Sequence, residues 1–511
     1  MLRTRMIGSF VRLSSSLLLA LVAAVRCTAQ VDYDGDAHPW NQRADRGPDA
    51  EVPGWFYNLG LTGMRAQLVE NEPTVLLIRH VFPQSPADGR IEAGDVIVGV
   101  DGHPFRTPHR DGYGEEVFGG DGPIAELAEA LEACQSGTGT LSLEVRRGET
   151  TNRVELPIGT IYGSFSATYP IDCAKSDRIL AELLEHLVAD QRDDGSFGDP
   201  VRDTFAPLAL LASGEERYLD AVRRNARFHA RTTIAGETRL EDLPNWAYLS
   251  AAIVLSEFHL ATGEAWVLDE LREIRDFLIR GQFMRPDQIN PRARQSHPDS
   301  FPRTPQDAIG GWGHNPGFEG YGPIQMITAQ GAIALSLMHR CGIEVDRKRL
   351  DAAYRFIRRG TGPNGYVWYS DEPGGGADDW ADMGRTGAAA LANALSPYAD
   401  QAYRDQALLH ARVIGRHPQS FPDTHGSPPM GMAYTALGAH LDPESYRSLM
   451  DANRWWFTMA HCNDGRFFYQ PNRDNAGYDG DARSVASSVV AFLMVIPKKN
   501  LAITGREFPE K

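Results

Sequence analysis

The chain has 511 residues, with 51 Lys and Arg against 67 Asp and Glu, and a net charge of −16. That length accommodates two or three domains. The acid excess argues against nucleic acid or an anionic membrane surface as the partner.

The first residues read as a targeting segment rather than as part of a fold. A basic stretch, "MLRTRMIGSFVR", precedes a short apolar run, "LSSSLLLALVAAV", and "RCTAQ" then offers small residues at Cys27 and Ala29. This predicts a secretory signal peptide over 1–29, with a retained anchor as the alternative. The run is too short and wrongly flanked for a membrane span. Its removal takes away four Arg, so 47 basic residues face 67 acidic ones and the charge becomes −20. The expectation is an exported protein, periplasmic or extracellular, with no membrane contact beyond the signal peptide. A polar leader follows over 30–54. Of the remaining cysteines, Cys134, Cys173, Cys341 and Cys462, none forms a CxxC pair. Export permits disulfides, but the spacing assigns none, and buried free thiols are the equal alternative.

Residues 55–158 predict a small β-rich domain. "TVLLI" and "VIVGV" are strand-like apolar runs, with turn signals at Gly94-Asp95 and Asp101-Gly102. "IAELAEALEAC" places Ile124, Leu127 and Leu131 on one helical face, and "TLSLEVRRGETTNRVELPI" closes with a hairpin at Gly148. The phrase "SPADGRIEAGDVIVGVDGHPF" resembles the core of a bacterial PDZ domain, and "YNLGL" matches the short glycine-containing loop of such domains. The resemblance implies a peptide-binding site. Backbone N–H groups of Leu59, Gly60 and Leu61 would form a nest for a chain-end carboxylate, and the neighbouring strand edge would accept a peptide or extended segment as an added strand. Two departures are a long segment after the loop and the insert "RTPHRDGYGEEVFGGDG". A groove packed against the rest of the chain is the alternative.

After a linker over 159–175, residues 176–498 alternate between two kinds of helix, and 499–511 form a tail. Amphipathic helices are predicted over 177–189, 216–231, 265–281, 346–359, 403–416 and 444–460. In the third, Val267, Leu271, Ile274 and Leu278 make one stripe. Helices apolar on all sides are predicted over 204–212, 245–262, 323–340, 386–396, 428–440 and 484–496, and these must be buried. Six of each kind in alternation predict an all-α (α/α)6 toroid of six helical hairpins, buried helices inside. An open solenoid is the alternative. "QRDDGSFGD", "GPNGYVWY", "CNDGRFFYQ" and, more loosely, "GGWGH" follow outer helices. These resemble the Gln…Gly-aromatic repeats of terpenoid-cyclase-like toroids and read as structural stapling. The whole arrangement is similar to a bacterial secreted family that pairs a PDZ domain with an α/α toroid and brings no established activity.

The loops ahead of the six inner helices collect on one rim, with helix N-termini that favour polar or anionic ligands. They carry carboxylates (Glu319, Asp378, Asp379, Asp382, Asp423, Asp479, Asp481), bases (His314, His425, Arg385, Arg483) and aromatics (Trp246, Trp312, Tyr321, Trp368, Trp380). Paired carboxylates with aromatic platforms suit a sugar chain. The candidate catalytic residues are Asp379, Asp382, Arg385, Glu319 and His425. The first reading is a peptide- or protein-binding PDZ module carrying a toroid with a rim ligand site. A polysaccharide hydrolase or lyase is the alternative, and a non-catalytic scaffold the second. No cofactor or metal is expected, although the oxygen-rich "RDNAGYDGD" suits calcium without matching EF-hand spacing.

Overall fold

A computed structural model describes residues 56–69, 71–109, 121–238, 242–291, 304, 306–398, 400–422, 428–470 and 482–507. The expected signal peptide and leader lie outside these residues, as do His425, Asp423, Asp479, Asp481 and the "RDNAGYDGD" stretch.

The apolar runs of the small domain form an antiparallel sheet in the order β1-β2-β3-β4-β6-β7, with β5 paired to β4. The strands are β1 (Phe56–Asn58), β2 (Met64–Val69), β3 (Glu72–Val81), β4 (Val96–Val100), β5 (His103–Pro104), β6 (Thr140–Arg147) and β7 (Thr150–Pro157). Helix α1 (Pro123–Ser136) buries Ile124, Leu127 and Leu131 and packs against β3, β4 and β6. The expected closing hairpin is β6–β7, with eight residue pairs in unbroken register from Thr140↔Pro157 to Arg147↔Thr150.

The helical part follows the predicted alternation. Outer helices are α2 (Ala174–Asp190), α4 (Leu219–Thr232), α6 (Val267–Gly281), α8 (Arg347–Arg359) and α10 (Gln401–Arg416), completed by α12 (Pro443–Ala452) and α13 (Arg454–Ala460). Inner helices are α3 (Arg202–Ala212), α5 (Pro244–Thr262), α7 (Gln325–Arg340), α9 (Gly384–Ala394), α11 (Pro428–Ala439) and α14 (Ala482–Val495). In α6 one stripe is buried, whereas in α7 every residue from Gln325 to Met338 is. The inner helices touch in the order α3, α5, α7, α9, α11, α14, and α14 returns to α3. The ring is therefore closed, and the open solenoid is excluded. Glycine brings α9 and α11 together: a β-carbon on Gly387 would lie 2.1 Å from the carbonyl oxygen of Tyr434. Among the described residues, no helix is long and apolar enough to cross a membrane.

Two boundaries differ from the sequence reading. The sixth outer element is broken, because Asn453 turns its amide onto the carbonyls of Leu449 and Pro418, both at 2.8 Å. Helix α13 is thereby redirected against α1, β1 and the 60–62 turn. The C-terminal stretch is not a loose tail either. Leu501, Ala502 and Ile503 are buried, and the buried carboxylate of Glu257 on α5 accepts the N–H groups of Ala502 and Ile503 at 3.0 and 2.7 Å. All four cysteines beyond the leader are free thiols.

The contact between α13 and the small domain corrects the peptide-site expectation. Leu59, Gly60 and Leu61 are all buried. The Leu59 N–H donates to Met64 O at 3.0 Å, and Leu61 O accepts from Asn463 Nδ2 at 2.5 Å. A β-carbon on Gly60 would lie 2.6 Å from the carbonyl oxygen of Thr458 on α13. The outer edge of β2 is taken by β1, with Tyr57 opposite Ala66. Gln470 then pairs with the backbone of Asn58 as a strand would, accepting its N–H and donating to its carbonyl, both at 3.0 Å. The chain's own residues thus cover the nest and fill the strand edge, as the packed-groove alternative describes.

The linker seals this junction. The ammonium of Lys175 is buried, paired with Glu132 of α1, hydrogen-bonded to Gln135 at 2.8 Å and set over the ring of Phe165. Glu132 also accepts the Phe165 N–H at 2.9 Å.

Candidate functional site

The glycine turns after the outer helices fix the rim. Gly195, Gly310, Gly365 and Gly465 all have φ between 80° and 101°, a region that penalises any residue with a β-carbon. Each turn is closed by a backbone hydrogen bond: Arg192 N to Ser196 O, Phe283 N to Gly311 O, Gly362 N to Tyr366 O and Cys462 N to Arg466 O, at 2.8–2.9 Å. Two residues past each glycine, a buried apolar side chain enters the core: Phe197, Trp312, Val367 and Phe467. The N–H of each donates to a side-chain oxygen on the inner helix that follows, namely Asp203 (2.6 Å), Thr328 (3.1 Å), Thr386 (3.0 Å) and Ser487 (3.0 Å). Gln191 and Gln282 complete two of the turns by donating to the glycine carbonyl and to the next outer helix, at Ala221 and Arg349. The repeat is thus a staple between neighbouring hairpins. Trp312, counted among the candidate aromatics, belongs to it: fully buried, it donates to Leu278 O at 2.7 Å. Thr386, which could have capped its own helix, receives the Val367 N–H instead.

Four residues past two of these glycines come His314 and Tyr369, and here the rim becomes polar. Tyr369 is 37% exposed and Tyr321 62% exposed. The Arg385 guanidinium lies 5.7 Å from the Tyr369 ring centroid. Burial pushes the Tyr369 hydroxyl up; Arg385 pulls it back, and Tyr321 and Glu319 add to the rise. The Tyr369 hydroxyl thus feels Arg385, Tyr321 and Glu319.

Arg385 and Asp382 are brought together. Both are buried, and Nη2 of Arg385 lies 3.0 Å from Oδ2 of Asp382, three residues earlier. The same nitrogen donates to the Tyr366 hydroxyl at 2.9 Å. Burial works against the guanidinium charge, and Asp382 with Tyr366 more than restores it. The pair is closed on itself, which leaves Asp382 engaged as a partner rather than open as an acid.

Glu319 is different. One of its oxygens accepts from Asn315 Nδ2 at 3.3 Å, the backbone N–H of His314 also favours its charged form, and Oε1 is buried. Burial raises its pKa above the usual carboxylate value. His314 sits five residues earlier, its ring 6.0 Å from that of Tyr321. The Trp246 indole N–H donates to Nδ1 of His314 at 3.0 Å. An indole nitrogen only donates, so the neutral imidazole carries its proton on Nε2. Burial lowers the His314 pKa, which keeps it in that form. The segment ahead of Trp246 is strained to reach this arrangement. Asp242 and Leu243 both have positive φ, 71° and 56°, and the Leu243 N–H is tied to Asn315 Oδ1 at 2.9 Å. Non-glycine residues held in this region concentrate at functional sites.

The remaining candidates lie apart from this cluster. Asp379 is exposed in its own turn, accepting the Gly376 N–H at 2.6 Å, and Asp378 is exposed beside it. Trp380 stacks on His417 with centroids 4.2 Å apart. Arg483 is paired with Asp464. Trp368 packs edge-on to Tyr366 at 5.0 Å, and its indole nitrogen is buried without a partner. Tyr366 and Tyr369 were missed as site residues. Aligning the four glycine turns would have exposed Tyr369, since Asp199, His314, Tyr369 and Tyr469 occupy the same position after the glycine.

Among solved structures, similarity extends to an inactive variant of the alpha-1,6-mannanase GH76A of Salegentibacter sp. HEL1_6 in complex with alpha-1,6-mannotriose. It shares 13% identity over 62% of this chain and 98% of that one, at a TM-score of 0.43. A variant of the type II terpene cyclase MstE from Scytonema, bound to geranylgeranyl dihydroxybenzoate, matches at 14% identity over 64% and 97% of the two chains, with a TM-score of 0.40. The Lin0763 protein from Listeria innocua matches at 14% identity over 64% and 89%, with a TM-score of 0.36. At these identities and scores, the structures lend no activity to this chain. No curated protein matches it. A family model does: residues 176–505 match DUF6288, a domain of unknown function, and the chain belongs to that family.

Proposed function

We propose that the rim around Glu319 is the ligand site of a polysaccharide-processing toroid, a hydrolase or lyase, in an exported protein. The observation that carries this is Glu319 itself, a half-buried carboxyl group whose pKa burial raises, on a rim that also carries the exposed rings of Tyr321 and Tyr369. A carboxyl whose pKa burial raises holds its proton more readily than an exposed one and can protonate a leaving oxygen, and aromatic faces suit sugar rings. In the hydrolytic form, Glu319 gives its proton to the glycosidic oxygen as the carbon–oxygen bond breaks. Water adds to the sugar carbon and loses one proton to a second carboxylate of the rim loops. Asp382 and Arg385 hold the loop in shape and take no proton. Peptide capture at Leu59, Gly60 and Leu61 is the weaker reading, because α13 and β1 occupy that groove.

The test is an activity screen of the mature protein on neutral and polyanionic polysaccharides, reading reducing ends and unsaturated products, beside Glu319→Gln. Turnover by the parent and at least a hundredfold loss in the variant is the expected result. A chain that neither cleaves nor binds any glycan would end the proposal.

A further inference from the structure

We infer that β7 is the contact by which two copies of this chain pair, edge to edge and antiparallel, about a twofold axis through Val154. The sheet has two outer strands, β1 and β7. The molecule covers the first: β1 is three residues long, and Gln470 takes both backbone groups of Asn58. The second is left open. β7 has β6 as its neighbour in the sheet and runs for eight residues in unbroken register. Its residues Thr150 to Arg153, with Glu155 and Pro157, are exposed. Edge strands of soluble proteins are ordinarily shortened, bulged, covered or interrupted by proline. Among the described residues, β7 shows none of these before Pro157 ends it.

Its backbone is arranged to take a partner strand. The two-residue connection Gly148-Glu149 makes Arg147 and Thr150 a pair that exchanges both ladder bonds. Alternation then turns the N–H and C=O groups of Thr150, Asn152, Val154 and Leu156 towards β6, and those of Thr151, Arg153 and Glu155 outward. Side chains alternate across the sheet in the same step. Buried Leu156 and half-buried Val154 lie on the core face. Arg153 and Glu155 share the opposite face, their charged ends 2.9 Å apart.

Charge selects both the occupant and the register. Protective edge charges of one sign would repel a second copy. Arg153 and Glu155 have opposite signs and flank Val154 symmetrically. With Val154 opposite its own counterpart, Arg153 of each copy faces Glu155 of the other, in pairs that exchange both backbone bonds. Moving the register by one pair either way sets Arg153 against Arg153 or Glu155 against Glu155, like charges across a ladder. An odd shift sets the core face of one copy beside the solvent face of the other. The ring is attached through β1, the 60–62 turn and α1, and β7 is the edge farthest from β1.

The experiment is sedimentation velocity of the full mature chain over a concentration series, beside Arg153→Glu, Glu155→Arg and an equimolar mixture of the two. One strand edge is a small interface, so the parent should pass from monomer to dimer with a dissociation constant on the order of micromolar. Either substitution alone places like charges opposite one another and should weaken the dimer at least about tenfold. The mixture should dimerise again, because acids of one variant then face bases of the other. Val154→Cys should cross-link two copies in air, since opposed residues of a pair without ladder bonds stand close enough for a disulfide. A parent that stays monomeric far above micromolar concentration would overturn the inference. So would a dimer indifferent to both substitutions, or a dimer that forms only once residues 30–54 are removed, which would make that leader the occupant of the edge.

Discussion

His186 of the first outer helix donates its Nε2–H to the carbonyl oxygen of Asp464, 2.9 Å away in the turn after the last outer helix. Beside it, Arg466 forms a two-pronged pair with Asp190 of the same first helix, one prong at 2.7 Å. Together with Gly465, which packs on Glu182, these contacts join the sixth hairpin to the first. Asp190→Ala should therefore cost roughly 1.5–3 kcal/mol, the range for a hydrogen-bonded charge, with no change in an isolated hairpin's helicity. Urea unfolding would read it. A loss near zero would mean that the seam is held by apolar packing alone.

The buried Arg385–Asp382 pair predicts an asymmetric response. Arg385→Ala leaves the Asp382 carboxylate buried and uncompensated, and should destabilise by about 3–5 kcal/mol. Replacing both partners by apolar residues of similar size, Arg385→Met with Asp382→Leu, should recover most of that loss. Equal destabilisation by the single and double changes would show that the pair's links to Tyr366 and Val367 matter more than its charge.

The stapled glycines predict a ranking. At Gly310 a β-carbon would lie 2.2 Å from the carbonyl oxygen of Ala352 on the next outer helix, and φ is 101°. Gly148, in the β6–β7 turn, has φ 59° and nothing within 4 Å of such a carbon. Gly148→Ala should cost about 1–2 kcal/mol, the conformational penalty alone. Gly310→Ala adds a clash with backbone and should cost clearly more. Thermal melts of the two variants, showing the reverse order, would contradict the staple.

Buried histidines predict acid lability. Burial lowers the pKa of His229, His410 and His440 from 6.5 to about 4, and that of His461 to about 3. The unfolded chain therefore binds protons that the fold refuses. The neutral-histidine contribution is fully present above about pH 6.5 and falls as pH drops towards 4, by up to about 3 kcal/mol for each ring. Glu257 and Asp203 oppose this: burial raises their pKa values from 4.5 to about 7 and from 3.8 to about 6, so their neutral forms stabilise most at low pH and lose that effect as pH rises through 6 and 7. Four rings outweigh two carboxyls, and the unfolding midpoint in urea should fall between pH 7 and pH 5. His410→Gln should flatten the slope. A midpoint that rises on acidification would show the two carboxyls to be dominant.

The ring was legible because its two helix types carry opposite signatures. Val267, Leu271, Ile274 and Leu278 repeat at helical spacing on one face, while "TAQGAIALSLM" has no polar face to show. The Arg385–Asp382 pair was also within reach, since residues three apart on a helix start are neighbours. The break at Asn453 was not, because "RWWFTMA" keeps an apolar helical pattern and the bond to Pro418 is tertiary. The fate of "YNLGL" was equally hidden. Nothing local to Gly60 says that the carbonyl of Thr458 will stand 2.6 Å from where a β-carbon would be. Trp246 and His314 were both noticed, but the bond that fixes the tautomer spans 68 residues.

The closed seam also governs the order in which this protein can acquire its structure. Asn58 and Gln470 are partners across 412 residues, and Glu257 waits for Ala502. During synthesis from the N-terminus, the small domain and the first five hairpins exist before the residues that cover them. Until then, the apolar flank of α1, the loop at Gly60 and one side of α2 have no counterpart. Such long closures are slow, and the exposed faces invite association with other chains. Helix α13, Gln470, α14 and Ala502 thus end the vulnerable interval, and a chain cut ahead of Arg454 should yield aggregate rather than a smaller ring.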